Sequence, residues 1–218
     1  AAPMTLNPAM TGVMSGNLRF SASYRNQWSA FAPFETFQGS FDMNFNPRFM
    51  PNDLLGLGVS FFNDKAGDSE FRTTQGNISF SFIKSLGGVF SASNYLSAGV
   101  QAGFAQRSIN YANLTFGSQY DGTDYDPNQG SGENIGADNF TFLDVSAGLF
   151  WFFMPDERMS VYSGLAFHHV NQPDQSFFND RKENLFMKTT YNLGVQFPIA
   201  TKADLNPGFL MHWQGPFK

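Results

Sequence analysis

The chain has 218 residues, of which 27 are phenylalanine and only 14% are charged, with a formal net charge of −5. The absence of cysteine excludes disulfides, thiolate chemistry and cysteine-held metals, and an acidic balance with no Lys/Arg cluster excludes a nucleic-acid surface. Mean hydropathy is still negative, −0.26, because Ser, Asn, Gln, Thr and Gly rather than charges dilute the apolar residues.

Residues 1–17 read as a loop-like periplasmic segment, with Asn7-Pro8-Ala9 and Thr11-Gly12 as turn material. No basic and apolar leader precedes it, so the signal peptide of an exported form has been removed or lies outside these residues. The first strand puts Leu18, Phe20, Ala22, Tyr24 and Trp28 on one parity, opposite Arg19, Ser21, Ser23, Arg25, Gln27 and Ser29. Ala30 to Phe34, with Pro33, is a break. The second strand sets Phe37, Phe41, Met43 and Phe45 against Gln38, Ser40, Asp42 and Asn44. A proline-punctuated connection over 46–53 leads to a third strand with Leu55, Leu57, Val59 and Phe61 opposite Gly56, Gly58 and Ser60. Asn63 to Thr74 is polar and predicts a loop.

The fourth strand alternates Ile78, Phe80 and Phe82 with Asn77, Ser79 and Ser81. The fifth carries Leu96, Ala98, Val100, Ala102 and Phe104; its other face, Ser97, Gly99, Gln101, Gly103 and Ala105, is small enough to let a lumen curve. Residues 111–139 form the longest irregular stretch. The sixth strand sets Leu143, Val145, Ala147, Leu149, Trp151 and Phe153 against Asp144, Ser146 and Gly148. The seventh runs from about Met159 to Val170. The eighth holds Leu185, Met187, Tyr191, Leu193, Val195 and Phe197 opposite Lys188, Thr190, Asn192 and Gln196. The ninth begins near Pro207, with Phe209, Met211 and Trp213.

These segments are roughly 10 residues long, the length a tilted membrane strand requires, and no apolar run approaches a membrane helix. Connections after the odd strands are mostly longer and more polar than those after the even ones. A soluble barrel also alternates, but its outward face would be rich in Lys and Glu. The expectation is therefore an all-β fold: one transmembrane antiparallel outer-membrane β-barrel over residues 18–218. Phe20, Phe41, Phe80 and Leu149 would face lipid, and Trp28, Trp151 and Trp213 would form interfacial girdles. An odd total of about nine strands predicts further strands beyond Lys218, or a miscount by one, because an open edge in lipid leaves backbone groups unpaired.

His168 and His169 are adjacent on a predicted strand, so regular geometry sends their rings to opposite faces, where they cannot chelate one ion. Nothing marks a nucleophile for them, and the expectation is a non-enzyme without cofactor. Asp121, Asp124, Asp126, Glu133 and Asp138 could hold calcium across the 121–138 loop, although the spacing is not that of an EF-hand. Arg19 and Arg25 could contact a bound polypeptide, or pair with Asp42 or Glu35 across the hairpin.

Six strings resemble, in order, segments of the PorP/SprF family of Bacteroidetes outer-membrane proteins. They are Asn7-Pro8-Ala9 with Tyr24 to Trp28, then Phe62 to Asp68, Gln106 to Ser108, Phe116 to Asp121, and Phe167 to Pro173. The resemblance implies a barrel of the type IX secretion and gliding machinery that binds, anchors or helps export an adhesin with a type B C-terminal domain. One branch is associated instead with the secretion motor and its ring. Family proteins are longer than this chain. Arg25, Gln27, His168, Asn171 and Gln172 are the candidate partner contacts, with the gaps 63–74, 111–139 and 171–184 as hydrogen-bonding surface. A structural ring component and a passive porin are the alternatives.

Overall fold

The computed structural model describes residues 2–28, 33–67, 69–87, 93–111, 114–126, 128–130, 132, 138–177 and 182–215. Ten antiparallel strands make a meander: β1 Leu18–Gln27, β2 Phe34–Phe45, β3 Leu54–Ala66, β4 Phe71–Ser85, β5 Ser93–Ser108, β6 Asn139–Asp156, β7 Met159–His168, β8 Lys188–Ala200, β9 Ala203–Leu205 and β10 Gly208–Gln214. Each of β1 to β8 pairs with the next, and β10 and the short β9 both pair with β8. The sheet has the make-up of a β-barrel but is not closed, since β1 and β10 remain its edges among the described residues. No helix of the described residues is long and apolar enough to cross a membrane.

Register turns alternation into two continuous surfaces. Phe20 faces Phe41, which faces Val59, and the row continues through Ile78, Ala102 and Val145. One residue further along lies the row Ser21, Ser40, Ser60, Asn77, Gly103 and Asp144. A one-residue slip at any pair would exchange the rows, so the period of two fixes the pairing. Burial is inverted relative to a soluble protein. Phe20 is 76% exposed, Phe41 40%, Phe80 42% and Leu149 53%, whereas Ser40, Ser79, Ser81, Ser97 and Thr190 are buried. An outer apolar belt around a polar inner face is the arrangement of a membrane barrel.

Several boundaries differ from the sequence expectation. Residues 63–66 and 71–74, expected in a loop, are strand: Asn63 donates to Thr74 at 2.7 Å and Thr36 to Asp64 at 2.6 Å. Polar cross-strand pairs extend the ladder beyond the apolar belt, so that β3 ends at Ala66 and β4 begins at Phe71. Phe34 opens β2 rather than closing the break, β7 stops at His168, and β8 starts at Lys188. The ninth expected strand is β10, and the short β9 before it was not expected; between them Pro207 offers no amide but its carbonyl accepts from Val195. The inner parity is not polar throughout. Near the short turns it is apolar, with Ile83 and Phe150 buried.

Candidate functional site

The expected loop-like segment at the N-terminus is instead packed against the inner face. Pro3–Leu6 makes a single helical turn and Pro8–Met10 a 3-10 turn, and Met4, Asn7, Ala9 and Thr11 are fully buried. Asn7 organises the crossing. Its Nδ2 donates to the carbonyls of Leu149 and Leu165 on neighbouring strands, and its Oδ1 accepts from the Ala9 amide at 2.9 Å. Ser97 donates to the Ala9 carbonyl at 2.7 Å, Ser81 to that of Thr11 at 2.6 Å, and the His168 ring lies 3.2 Å from that of Leu6. The buried Asp42 accepts from the Gly12 amide and from both Nε and Nη2 of Arg19, while Arg19 also donates to the Met10 and Val13 carbonyls. Arg19 and Asp42 therefore form the cross-strand pair expected from sequence.

The strands make room by omitting side chains. A Cβ on Gly99 would sit 2.5 Å from the backbone of Pro8 and Ala9, and one on Gly148 would sit 2.1 Å from Asn7 Oδ1. Gly99 thus does more than let a lumen curve: it is part of a socket for close backbone approach.

This segment is a floor across the interior. On the side of the longer connections, a cavity of ≈270 Å³ is lined by Thr5, Gln38, Ser60, Phe62, Gln75, Asn77, Gln101, Asp144, Ser146, His168, His169 and Lys188. Asp144 Oδ1 lies 2.8 Å from His169 Nδ1, and its Oδ2 accepts from Gln75 at 3.0 Å. The two histidines do not leave on opposite faces. The ladder ends at His168, and His169 has φ 58°, which turns its ring inward to 6.4 Å from that of His168.

Residues 169–177 lead on from this cavity, and 182–187 pair back on them, Gln175 donating to the Glu183 carbonyl and Leu185 to that of Pro173. Asn171 donates to the Leu143 carbonyl and accepts from the Val145 amide, replacing a missing strand at the edge of β6. Gln172, at φ 42°, is exposed on the turn. Asp174 accepts from the amides of Glu183 and Ser176, which hold its carboxyl below the usual carboxylate range. Phe177 packs edge-on to Phe140 at 4.6 Å and to Phe71 at 6.2 Å, two strands apart. Arg107 bonds Gln175 and lies 5.8 Å over the Phe142 ring. These contacts tie the segment to β4, β5 and β6.

Beyond the floor, toward the short turns, two apolar clefts of ≈440 Å³ each are lined by Phe150, Phe152, Met154 and Ile83 together with Met10, Val13 and Met14.

Of the sequence candidates, only His168 lines the cavity; Asn171 and Gln172 lie at its rim. Arg25 donates to Gln27 at 2.6 Å at the exposed top of β1, and Glu35 is met by Asn26 rather than by Arg25. Trp28 and Trp213 lie toward the longer-connection end, and Trp151 lies toward the other, donating to Asn94 at 2.9 Å. Asp144, His169, Lys188 and Arg107 were missed as site residues. Their signal was a charged or imidazole group on strand parity otherwise filled by Ser, Gly and amides.

In the acidic loop, Asp121 accepts from the Thr123 and Asp124 amides and Asp126 from that of Asn128, so these carboxylates close local turns. Glu133 lies outside the described residues. Among the described residues no three His, Asp or Glu side chains converge as a metal site.

The family model described as type IX secretion system membrane protein PorP/SprF matches residues 1–218. No curated protein and no solved structure matches the chain.

Proposed function

The chain belongs to the PorP/SprF family of type IX secretion system membrane proteins, and from that premise we propose a non-enzymatic outer-membrane barrel that binds a surface adhesin. It anchors the adhesin, or assists its export, through the adhesin's type B C-terminal domain. The 109–138 and 169–187 connections face outward and the short turns face the periplasm. The observation that supports this reading is the filled interior: the N-terminal segment packs across its middle, and Phe177 packs against the inner-face rings of Phe71 and Phe140 at one end. A passive channel needs a continuous path, whereas a receptor needs a fixed rim. Arg25, Gln27, Asn171 and Gln172 supply polar groups at that rim, with His168 beneath it.

The test is capture from native membranes with the tagged barrel. A large secreted adhesin as the main partner, lost when its C-terminal domain is deleted, supports the reading. Steady passage of small solutes through the barrel in planar bilayers, with no adhesin bound, would overturn it. The apolar clefts at the opposite end favour a second reading: attachment to periplasmic components of the same machinery, as a structural member of the motor ring. Recovery of those components without any adhesin would select it.

A further inference from the structure

The outward face of β4 to β7 carries a cleft. Register sets two rows of outward side chains beside each other: Phe80, Val100, Ala147 and Phe167, then Phe82, Ala98, Leu149 and Leu165. Each row drops to alanine at one place, and between the rows Gly99 pairs with Gly148. The result is a cleft of ≈510 Å³ with Ala98, Ala147 and the two glycines at its base, lined by no polar side chain. The wall here is bare backbone, because the N-terminal segment presses on the inner side of both glycines: a Cβ on Gly99 would sit 2.5 Å from Pro8 and Ala9, and one on Gly148 2.1 Å from Asn7 Oδ1. Two residues nearer the short turns, the next outward row is Lys84, Leu96 and Trp151. An exposed lysine and an indole in one row mark the edge of the hydrocarbon. At roughly 3.3 Å per residue, the cleft lies about 7 to 13 Å along the strands from that row, within the half of the roughly 30 Å hydrocarbon core that one leaflet supplies.

We propose that this cleft seats one acyl chain of a phospholipid from the leaflet on the short-turn side, with its phosphate at the level of Lys84 and Trp151. The proposal goes beyond the receptor reading and does not depend on it. The cleft is continuous with the lipid-facing belt, so hydrocarbon is what reaches it. Lipid tails are as apolar as leucine, so the gain comes from contact rather than from transfer out of water. A flexible chain follows the depression and supplies partner atoms along its length. A protein partner fits less well. Exposed Phe80, Val100 and Leu149 stand beside the alanines and hold a flat surface off, and a stable interface needs roughly 800 Å² on each partner. The Lys84 ammonium gives one donor to Asp53, which leaves two for phosphate oxygens. A seated chain also backs, from outside, the glycine pair on which the N-terminal segment presses from inside.

The test is native mass spectrometry of the purified full chain, reconstituted in vesicles of palmitoyl-oleoyl-phosphatidylethanolamine and then stripped in stages with detergent. The unsubstituted chain should keep one phospholipid after the bulk lipid has gone. Ala98→Phe and Ala147→Phe put a ring into the cleft and should each lower the retained fraction about tenfold. Ala102→Phe makes the same addition to the same face outside the cleft and should leave retention unchanged. Lys84→Met should lower it about fivefold through the lost phosphate contact. No retained phospholipid, or retention that both cleft variants leave intact, overturns the proposal. So does equal loss with Ala102→Phe, which would assign the lipid to the face as a whole. A dimer free of lipid that both cleft variants dissociate makes a second copy the occupant and overturns it as well. In vesicles that also contain lipid A, retention of lipid A instead of the phospholipid overturns the assigned leaflet.

Discussion

Strand β6 passes through two different interiors. On its inner parity Asp144 and Ser146 border the polar cavity, Gly148 meets Asn7 of the floor, and Phe150, Phe152 and Met154 border the apolar clefts. Alternation is identical along the whole strand, yet one half is built for hydrogen bonds and the other for apolar contact. The N-terminal segment is what separates them, presenting Thr5 to one side and Met10, Val13 and Met14 to the other. A period of two therefore identifies a face, but not what the face meets along its length.

Substitutions on one strand should break this symmetry unequally. Phe150→Ala removes a ring that is 4% exposed and should cost ~3 kcal/mol or more in detergent unfolding by heat or denaturant. Ser146→Ala, two turns of alternation away in the polar half, should cost less than ~1 kcal/mol in the same measurement. Next in size, Asp42→Ala removes the counter-ion of Arg19 and leaves its Nε and the Gly12 amide without an acceptor, and should cost ~3 kcal/mol. If the floor is what partitions the interior, this variant should also make residues 10–13 cleavable by protease.

The socket offers a sharper cut. Gly99→Ala drives a methyl group into the backbone of Pro8 and Ala9 and should cost ~1–3 kcal/mol, while Gly76→Ala, where the added methyl meets open space, should not. The smallest effects come from pH. Asp53 at the short-turn end is lowered from 3.8 chiefly by its hydrogen bond from Lys84; Asp174 in the segment after β7 is lowered from 3.8 by the Glu183 and Ser176 amides. A depressed carboxyl contributes stability that is complete above 3.8 and is lost as pH falls through its lower folded value. Amide exchange at both ends should therefore rise as pH falls below about 4, without global unfolding.

The rows of the sheet were legible because register and alternation reinforce each other from Phe20 to Val145. The Arg19–Asp42 pair was legible because the residues face each other across one hairpin. The floor was not legible. Asn7-Pro8-Ala9 looks like turn material, and its hydrogen bonds run to backbone carbonyls more than a hundred residues away, which no local pattern encodes. His169 was misplaced because its left-handed backbone breaks strand geometry one residue after the ladder ends. The 63–74 stretch was misplaced because a polar composition does not prevent a ladder whose side chains pair across strands.

The central claim is that the aromatic parity meets lipid while the polar parity is enclosed. A chain without cysteine allows single cysteines from Asn77 to Phe82 on β4 to be spin-labelled in bilayers, with collisions against dissolved oxygen and a water-soluble nickel chelate compared at each position. The account predicts high oxygen access at Ile78, Phe80 and Phe82 and little at Asn77, Ser79 and Ser81. The opposite alternation, with the phenylalanine positions shielded and the serine positions open to the water-borne chelate, would contradict it.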